Sequence, residues 1–133
     1  MSELPVNYVI KGKLLKISCS KDSIPQDLKD VLVKALSDPN CPDKVFFLLD
    51  VSQSTSMAHR TAGEIFEIAR FLVLHSKKLA NRCAVLTSSD IQYGLCRMGS
   101  AYIENYGINT EVFRNLDDAL QWLGLNGSLN EIQ

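Results

Sequence analysis

The residues best suited to chemistry lie in three loops, each of which follows a predicted strand and precedes a predicted helix. Their polar members are Asp50, Ser52, Ser54, Thr55, Ser56, Thr87, Ser88, Ser89, Asp90, Arg114 and Asn115. If the strands run parallel, the amino ends of the three following helices meet at one edge of the sheet. Free backbone N–H groups and helix dipoles at such an edge favour an anion, for example a phosphate or a carboxylate.

We therefore predict that this edge binds a partner protein or a small anionic or amphipathic ligand. The edge is built by residues 50 to 61, 87 to 93 and 114 to 115. The side chains predicted to take part are Asp50, Ser52, Ser54, Ser56, His59, Arg60, Ser88, Ser89, Tyr93 and Arg114. Capping explains each Ser or Asp taken singly, because these types are preferred at helix amino ends. Capping does not explain why three such loops converge.

The spacing Asp50-x-Ser52-x-Ser54 resembles the metal-adhesion sequence of von Willebrand A domains. Oxygen ligands of this kind suit magnesium. Those domains also need a Thr and an Asp from later loops, which Thr87 and Asp90 could supply. They place the motif on their first strand, whereas here a hairpin and a helix come before it. We predict no metal and no other cofactor, and a divalent-metal site remains an alternative.

The sequence contains no enzyme motif that we can identify. There is no GxGxxG, Walker loop, GxSxG or HExxH pattern. The two histidines are His59, close to several serines, and His75, in the last turn of a predicted helix where positive charge is favourable. Neighbours in sequence at a helix start are a weak basis for a Ser–His pair. We therefore predict that the protein is not an enzyme.

Composition points to a globular protein. The chain has 133 residues, of which 46% are hydrophobic and 22% are charged, and a net charge of -1. We expect one domain over residues 1–124, a tail over 125–133 and a cytoplasmic location, since no signal peptide or spanning segment is evident. The near-neutral charge argues against nucleic acid as a partner. The four cysteines show no metal-ligand spacing, and we expect them to be reduced.

The order of predicted elements is β-β-α-β-α-β-α-β-α. The first two strands form a hairpin at Gly12, and the central apolar strand covers residues 44 to 51. Alternating strands and helices after the hairpin require parallel neighbours with right-handed crossovers. The predicted fold class is α/β, with a mixed, mostly parallel sheet of about five strands and about four helices.

The helix boundaries follow from caps and from the 3.6-residue period. The first helix should begin at a Ser23 cap paired with Gln26, and the second should run from about residue 56 to 78. The third should begin at Ser89 and end near Gly107. Its predicted inner face is Ile91, Leu95, Met98 and Tyr102, with close packing at Gly94 and Gly99. The last helix should begin at an Asn115 cap and end at Gly124.

Several segments together resemble the SpoIIAA-like branch of the STAS domains. They are FFLLDVSQS, RTAGEIFEIARFL, YGLCRMGSAYIENYG and VFRNLDDALQWL, and the resemblance covers residues 7 to 124. It implies a STAS-like regulatory or ligand-binding module, with a partner of anti-sigma or kinase type or a small anionic or lipid-like ligand. It also implies peripheral membrane contact as a further possibility.

STAS antagonists are switched by phosphorylation of a serine in an Asp-Ser-Ser-Gly segment at a helix start, where the added charge changes partner binding. Residues 57 to 62 of this chain read MAHRTA instead, and the nearest hydroxyls belong to Ser56 and Thr61. A phosphorylatable anti-sigma factor antagonist that uses these two residues is therefore an alternative. A homodimer through Trp122, Leu125 or the glycine-bearing helix is also open.

Overall fold

The computed structural model describes residues 4–125, without the side chains of residues 80 and 81. Its strands are β1 (Val6–Lys11), β2 (Leu14–Cys19), β3 (Val45–Asp50), β4 (Leu79–Leu86) and β5 (Asn109–Phe113). Its α-helices are α1 (Pro25–Leu36), α2 (Ala62–Leu74), α3 (Asp90–Glu104) and α4 (Leu116–Leu123). Short 3-10 helices at Met57–His59 and Ser76–Lys78 flank α2. The predicted tail is outside the described residues, except for Leu125.

The described residues form one five-stranded sheet with the order β1-β2-β3-β4-β5. Strands β1 and β2 are antiparallel and are joined at Gly12, whose φ of 57° suits a residue without a Cβ. Strands β2 to β5 are parallel neighbours, connected in turn by α1, α2 and α3. The predicted mixed, mostly parallel sheet with four helices is therefore confirmed.

Strand β3 is buried on both faces, as its unbroken apolar run predicted. Phe47 and Leu49 belong to the core that α1, α2 and α3 form with one face of the sheet. Leu48, between them, packs on the other face with Leu120 and Leu123 of α4. Side chains alternate between the two faces of a strand, so this run needs helices on both sides. The larger core thus lies under three helices.

Helix α2 is shorter than predicted. Thr61 caps it: its hydroxyl accepts the N–H of Glu64 at 3.1 Å, and the Glu64 carboxylate accepts the N–H of Thr61 at 2.9 Å. This reciprocal capping box starts the helix at Ala62, and the serines before it remain in the loop. Leu74, the last residue of the helix, is 77% exposed.

Helix α3 is turned somewhat from the predicted inner face. Of the four predicted residues, Leu95, Met98 and Tyr102 pack partly buried against the core, whereas Ile91 is 59% exposed. The fully buried residues of the helix are Gln92, Cys96, Gly99, Ser100 and Ile103. The absence of a side chain at Gly99 allows this rotation, because a Cβ there would lie 3.1 Å from Cγ2 of Ile65 on α2. The close packing predicted at Gly99 is confirmed. At Gly94 it is wrong, since no atom lies within 4 Å of an added Cβ.

The start of α1 also differs from the prediction. Ile24 is the N-cap, Pro25 is the first helical residue, and Asp27 accepts the N–H of Ile24 at 2.9 Å. Ser23 does not cap the helix, because its hydroxyl accepts a hydrogen bond from Arg60. Both ends of α4 are as predicted: Asn115 caps its start by accepting the N–H of Asp118, and Gly124, with a φ of 81°, follows its last residue.

No helix among the described residues combines the length and the hydropathy that a bilayer crossing requires.

Candidate functional site

The carboxyl ends of the parallel strands place the polar loops side by side. Asp50 is in register with Leu86, which is in register with Phe113. Just beyond them, Val51 donates its N–H to Leu86 at 2.9 Å and Thr87 donates its N–H to Phe113 at 2.8 Å. We call the loops at this edge the carboxyl rim, which comprises residues 20–24, 51–61, 87–89 and 114–115. The predicted convergence of the loops is present.

Three helix starts at the carboxyl rim are capped by their own side chains. Thr61 caps α2, Ser89 accepts the N–H of Gln92 at 3.2 Å, and Asn115 caps α4. Capping therefore accounts for Ser89 and for the exposed Thr61, one of the two phosphorylation candidates. These helix starts use a side-chain oxygen where an anion could otherwise bind.

Asp50 forms a local turn with Ser52. Its Oδ1 accepts the backbone N–H of Ser52 at 2.9 Å and the Ser52 hydroxyl at 2.5 Å. Its Oδ2 lies 4.0 Å from Nζ of Lys16 on β2. Both carboxylate oxygens thus have protein partners, which explains an Asp-x-Ser spacing without a metal.

The other residues considered for the metal alternative also have protein partners. The Thr87 hydroxyl donates to the Phe113 carbonyl at 3.0 Å, and Asp90 forms an ion pair with Arg114 at 2.6 Å. Among residues 4–125, no group of three or more His, Cys, Asp or Glu side chains could hold a metal ion. The Thr87 hydroxyl and the Asp90 carboxylate are thus each engaged by another protein group.

Arg114 and His59 belong to the carboxyl rim and are exposed on its outer surface. The Arg114 guanidinium is 4.7 Å from the centre of the Tyr93 ring, and its side chain is 51% exposed. His59 is exposed in the 3-10 helix before α2. Both side chains face solvent, where water and salt weaken the attraction of the Arg114 charge for an anion.

The loop between β4 and α3 supports the loop between β3 and α2. The Ser88 hydroxyl donates to the Ser52 carbonyl at 2.7 Å. The Gln92 amide donates to the Ser54 carbonyl at 3.4 Å and accepts the N–H of Ser88 at 2.8 Å. Ser52, Ser54 and Ser88 are therefore brought together, and one of their roles is to fix the shape of the carboxyl rim.

A second set of hydrogen bonds joins the β3–α2 loop to the β2–α1 loop. The Ser56 hydroxyl donates to the Ser23 carbonyl at 3.1 Å and accepts the Ser23 N–H at 3.1 Å. The Thr55 hydroxyl donates to the Asp22 carboxylate. We call Asp22, Ser23, Thr55 and Ser56 the mouth latch. Ser56, the other phosphorylation candidate, is therefore held by two hydrogen bonds to Ser23 and one to the Ser54 hydroxyl.

Arg60, also predicted to take part at this edge, differs from Arg114 and His59 because its side chain is only 9% exposed. Its Nη2 donates to the Ser23 carbonyl at 2.7 Å and to the Ser23 hydroxyl at 3.2 Å. The nearest carboxylate oxygen with an ion-pair distance, Oε2 of Glu64, lies 4.0 Å from Nη1. Its Nε is buried and has no hydrogen-bond partner among the described residues.

A cavity of about 60 Å³ lies between the sheet and helices α1, α2 and α3, and Arg60 and Ser23 line it at the carboxyl rim. Its apolar walls include Leu28, Leu49, Val51, Ile65, Leu72 and Ile103. One water molecule needs roughly 10–15 Å³ of such space, so the cavity has room for about four to six. Apolar walls give water few partners, and a hydrocarbon group suits them better.

Two thiols line the same cavity. Burial raises the pKa of the Cys19 thiol to about 11, although the charge of Arg60 acts in the opposite direction. Burial also raises the pKa of Cys96 to about 12. Both groups are therefore protonated near neutral pH and are poor nucleophiles. They contribute neutral, polarisable surface to the cavity wall.

Sequence reasoning identified Arg60 as part of the carboxyl rim but missed the cavity beneath it. The residues it missed are Cys19, Ser23, Cys96, Gly99, Ser100 and Thr110. One signal was available on α3. The small residues Cys96, Gly99 and Ser100 follow the helical period, although at Gly99 they indicate close packing against Ile65 of α2 and not a cavity.

No protein-family profile and no curated protein sequence matches the chain. Among solved structures, it is similar to an uncharacterized protein of the DUF3478 family, with a SpoIIAA-like fold, from Shewanella loihica PV-4. The likeness covers 89% of this chain and 91% of that one, with a TM-score of 0.57 and 15% sequence identity. The expected partners, membrane contact and dimer stay predictions. At this identity the likeness shows the fold alone: the chain has a SpoIIAA-like fold.

Proposed function

We propose that this protein is a non-enzymatic module that binds a small amphipathic acid in the cavity beneath the carboxyl rim. The carboxylate of the ligand binds Arg60, and its hydrocarbon part lies between the sheet and helices α1 to α3. The observation that carries this proposal is the buried Nε of Arg60, which has no hydrogen-bond partner among residues 4–125 and belongs to a residue that lines an apolar cavity.

Within the part of the chain that the structure describes, Arg60 has no counter-ion closer than 4.0 Å. Nη2 binds only neutral oxygens of Ser23, and Glu64 stands at 4.0 Å from Nη1. A buried cation without a well-placed partner is costly. A carboxylate that approaches through the mouth latch would supply both the missing hydrogen bond to Nε and a negative charge, because a guanidinium binds carboxylates through paired N–H groups.

The length of the cavity favours a slender chain. Thr110 lines the inner end of the cavity. The strand register places it level with Leu15 of β2, through Cys83 of β4 and Phe47 of β3. The Cys19 thiol, near Arg60, lies four residues beyond Leu15 on β2, a distance of about 13 Å along the strand. A ligand that reaches from Arg60 to the inner end is thus long and narrow.

The mouth latch has to open, and the cavity of about 60 Å³ has to widen, before such a ligand can enter, because the twelve non-hydrogen atoms of decanoic acid need more space than the cavity has in this conformation. Ser23 occupies Nη2 of Arg60 in this conformation, so an incoming carboxylate competes with Ser23 for the same donor. Binding and loosening of the latch are therefore coupled. This coupling would let the binding of a ligand inside the cavity change the conformation of the surface loops that form the mouth latch.

Calorimetric titration with decanoic acid and with decanol, which share a hydrocarbon chain, tests the proposal. Wild-type protein should bind the acid more tightly than the alcohol. Arg60→Gln should weaken acid binding by about 10- to 100-fold, since a hydrogen bond to a charged group contributes roughly 1.5–3 kcal/mol. Decanol binding should change little.

Arg70→Gln is the matched control, because Arg70 is exposed on α2 away from the cavity lining. Arg70→Gln also removes one guanidinium charge, but from α2, and should leave the affinities for decanoic acid and decanol unchanged. If the wild-type protein binds neither probe, or if Arg60→Gln binds the acid as well as wild type does, the proposal is wrong.

A further inference from the structure

The inner end of the cavity carries two hydroxyl groups that its apolar walls do not explain. Ser100 of α3 and Thr110 of β5 both line the cavity, and each residue is 5% exposed. Helix α3 runs opposite to the strands, so its carboxyl-terminal turns lie near the start of β5. Alanine and valine would fill these positions without placing polar atoms in an apolar wall.

Both hydroxyl protons already have acceptors. Ser100 Oγ donates to the Arg97 carbonyl at 3.0 Å, and Thr110 Oγ1 donates to the Ile108 carbonyl at 3.4 Å. A hydroxyl has one donor and two acceptor lone pairs. No hydrogen bond among residues 4–125 is donated to either oxygen. The inner end of the cavity therefore offers acceptors and has no spare donor.

A bond from a helical serine to the carbonyl three residues earlier is common and accounts for the Ser100 proton. It does not account for a second hydroxyl on the facing strand at the same end of the cavity. The two ends of the cavity thus differ in chemistry. Arg60 offers hydrogen-bond donors and positive charge, and the inner end about 13 Å away offers acceptors.

We infer that the ligand is a bifunctional acid with a hydrogen-bond donor, such as a hydroxyl group, at the end remote from its carboxylate. Ser100 and Thr110 accept hydrogen bonds from this group and select for it. This inference rests on the proposed function, because it assigns the orientation of a ligand whose carboxylate is bound by Arg60.

Three matched probes test the inference on wild-type protein by calorimetry. They are decanoic acid, omega-hydroxydecanoic acid and omega-methoxydecanoic acid. The hydroxy acid should bind about three- to tenfold more tightly than decanoic acid, the range expected for one or two neutral hydrogen bonds. The methoxy acid can accept but not donate, and should show no such gain.

The double variant Ser100→Ala with Thr110→Val removes both oxygens and keeps the approximate shape of the wall. It should bind decanoic acid at least as well as wild type does and should lose the preference for the hydroxy acid. Each single variant, checked for folding by circular dichroism, provides the same comparison if the double variant does not fold.

The outcomes separate this inference from the proposed function. Binding of decanoic acid without a preference for the hydroxy acid would overturn the inference and leave the proposed function standing. A preference that survives in the double variant, or one that the methoxy acid shares, would also overturn it. Failure of wild-type protein to bind any of the three acids would overturn both.

Discussion

Arg60 and Ser23, 37 residues apart in sequence, are joined by two hydrogen bonds from one guanidinium nitrogen, at 2.7 Å to the carbonyl and 3.2 Å to the hydroxyl. This pair ties the loop before α2 to the loop before α1 across the mouth of the cavity. In the proposed binding mode, the residue that binds the carboxylate of the ligand is therefore also part of the closure that the ligand must displace.

The mouth latch should contribute measurably to stability. Ser56→Ala removes both hydrogen bonds between Ser56 and Ser23 and leaves the Ser23 N–H without its partner. We expect the free energy of unfolding to fall by about 1–2 kcal/mol, measured by urea denaturation. Amide hydrogen exchange should accelerate at residues 20–24, because the latch no longer holds that loop.

Ser37→Ala is the control for the latch, since Ser37 is an exposed serine at the end of α1. Its free energy of unfolding should stay within about 0.5 kcal/mol of wild type. Equal stability and equal exchange rates in the Ser56 and Ser37 variants would mean that the latch does not restrain the loop.

The two glycines of α3 should respond in opposite directions to the same substitution. Gly94→Ala meets no atom within 4 Å and should raise the free energy of unfolding by about 0.5–1 kcal/mol through helix propensity. Gly99→Ala places a Cβ 3.1 Å from Ile65 and should lower it by about 1 kcal/mol through overpacking. Thermal and urea unfolding measure both values. Stabilisation of similar size in both variants would show that α2 and α3 are free to move apart.

Thr61 should stabilise the folded protein through its side-chain oxygen, which caps α2. Thr61→Ala removes the acceptor for the Glu64 N–H and should lower the free energy of unfolding by about 1 kcal/mol in urea denaturation. Thr61→Asp keeps an oxygen that can cap the helix and should stay close to wild type. An alanine variant as stable as the aspartate variant would contradict this role.

The buried thiols should make stability depend on pH in alkaline solution. Burial raises the pKa of Cys83 and of Cys96 from 9.0 to about 12, and that of Cys19 to about 11. Above pH 9 the thiols ionise in the unfolded chain but not in the folded one, which favours unfolding. Their stabilising contribution is therefore complete below pH 9 and is lost as the pH rises through 11 to 12.

Urea denaturation at about pH 8 and about pH 10 tests this dependence. Wild-type protein should lose more stability between the two conditions than Cys83→Ala, because the variant lacks one of the thiols. Cys41→Ala, at a half-buried position, should behave more like wild type. The same loss in wild type and Cys83→Ala would show that the Cys83 thiol does not contribute.

The sequence by itself determined the alternation of strands and helices, the burial of β3 on both faces and the caps at Ser89 and Asn115. These features depend on residues within a few positions of one another, through the two-residue period of strands, the 3.6-residue period of helices and local hydrogen bonds. The parallel arrangement of the sheet followed from that alternation, and with it the meeting of the loops at one edge.

Only the tertiary structure decided which way α3 faces and where Arg60 points. A helical period defines a stripe, but the rotation of the helix depends on its neighbours, here the contact between Gly99 and Ile65. Arg60 is buried because Ser23, on a distant loop, accepts its hydrogen bonds. The cavity is enclosed by three helices and the sheet together, so no local segment of the sequence encodes it.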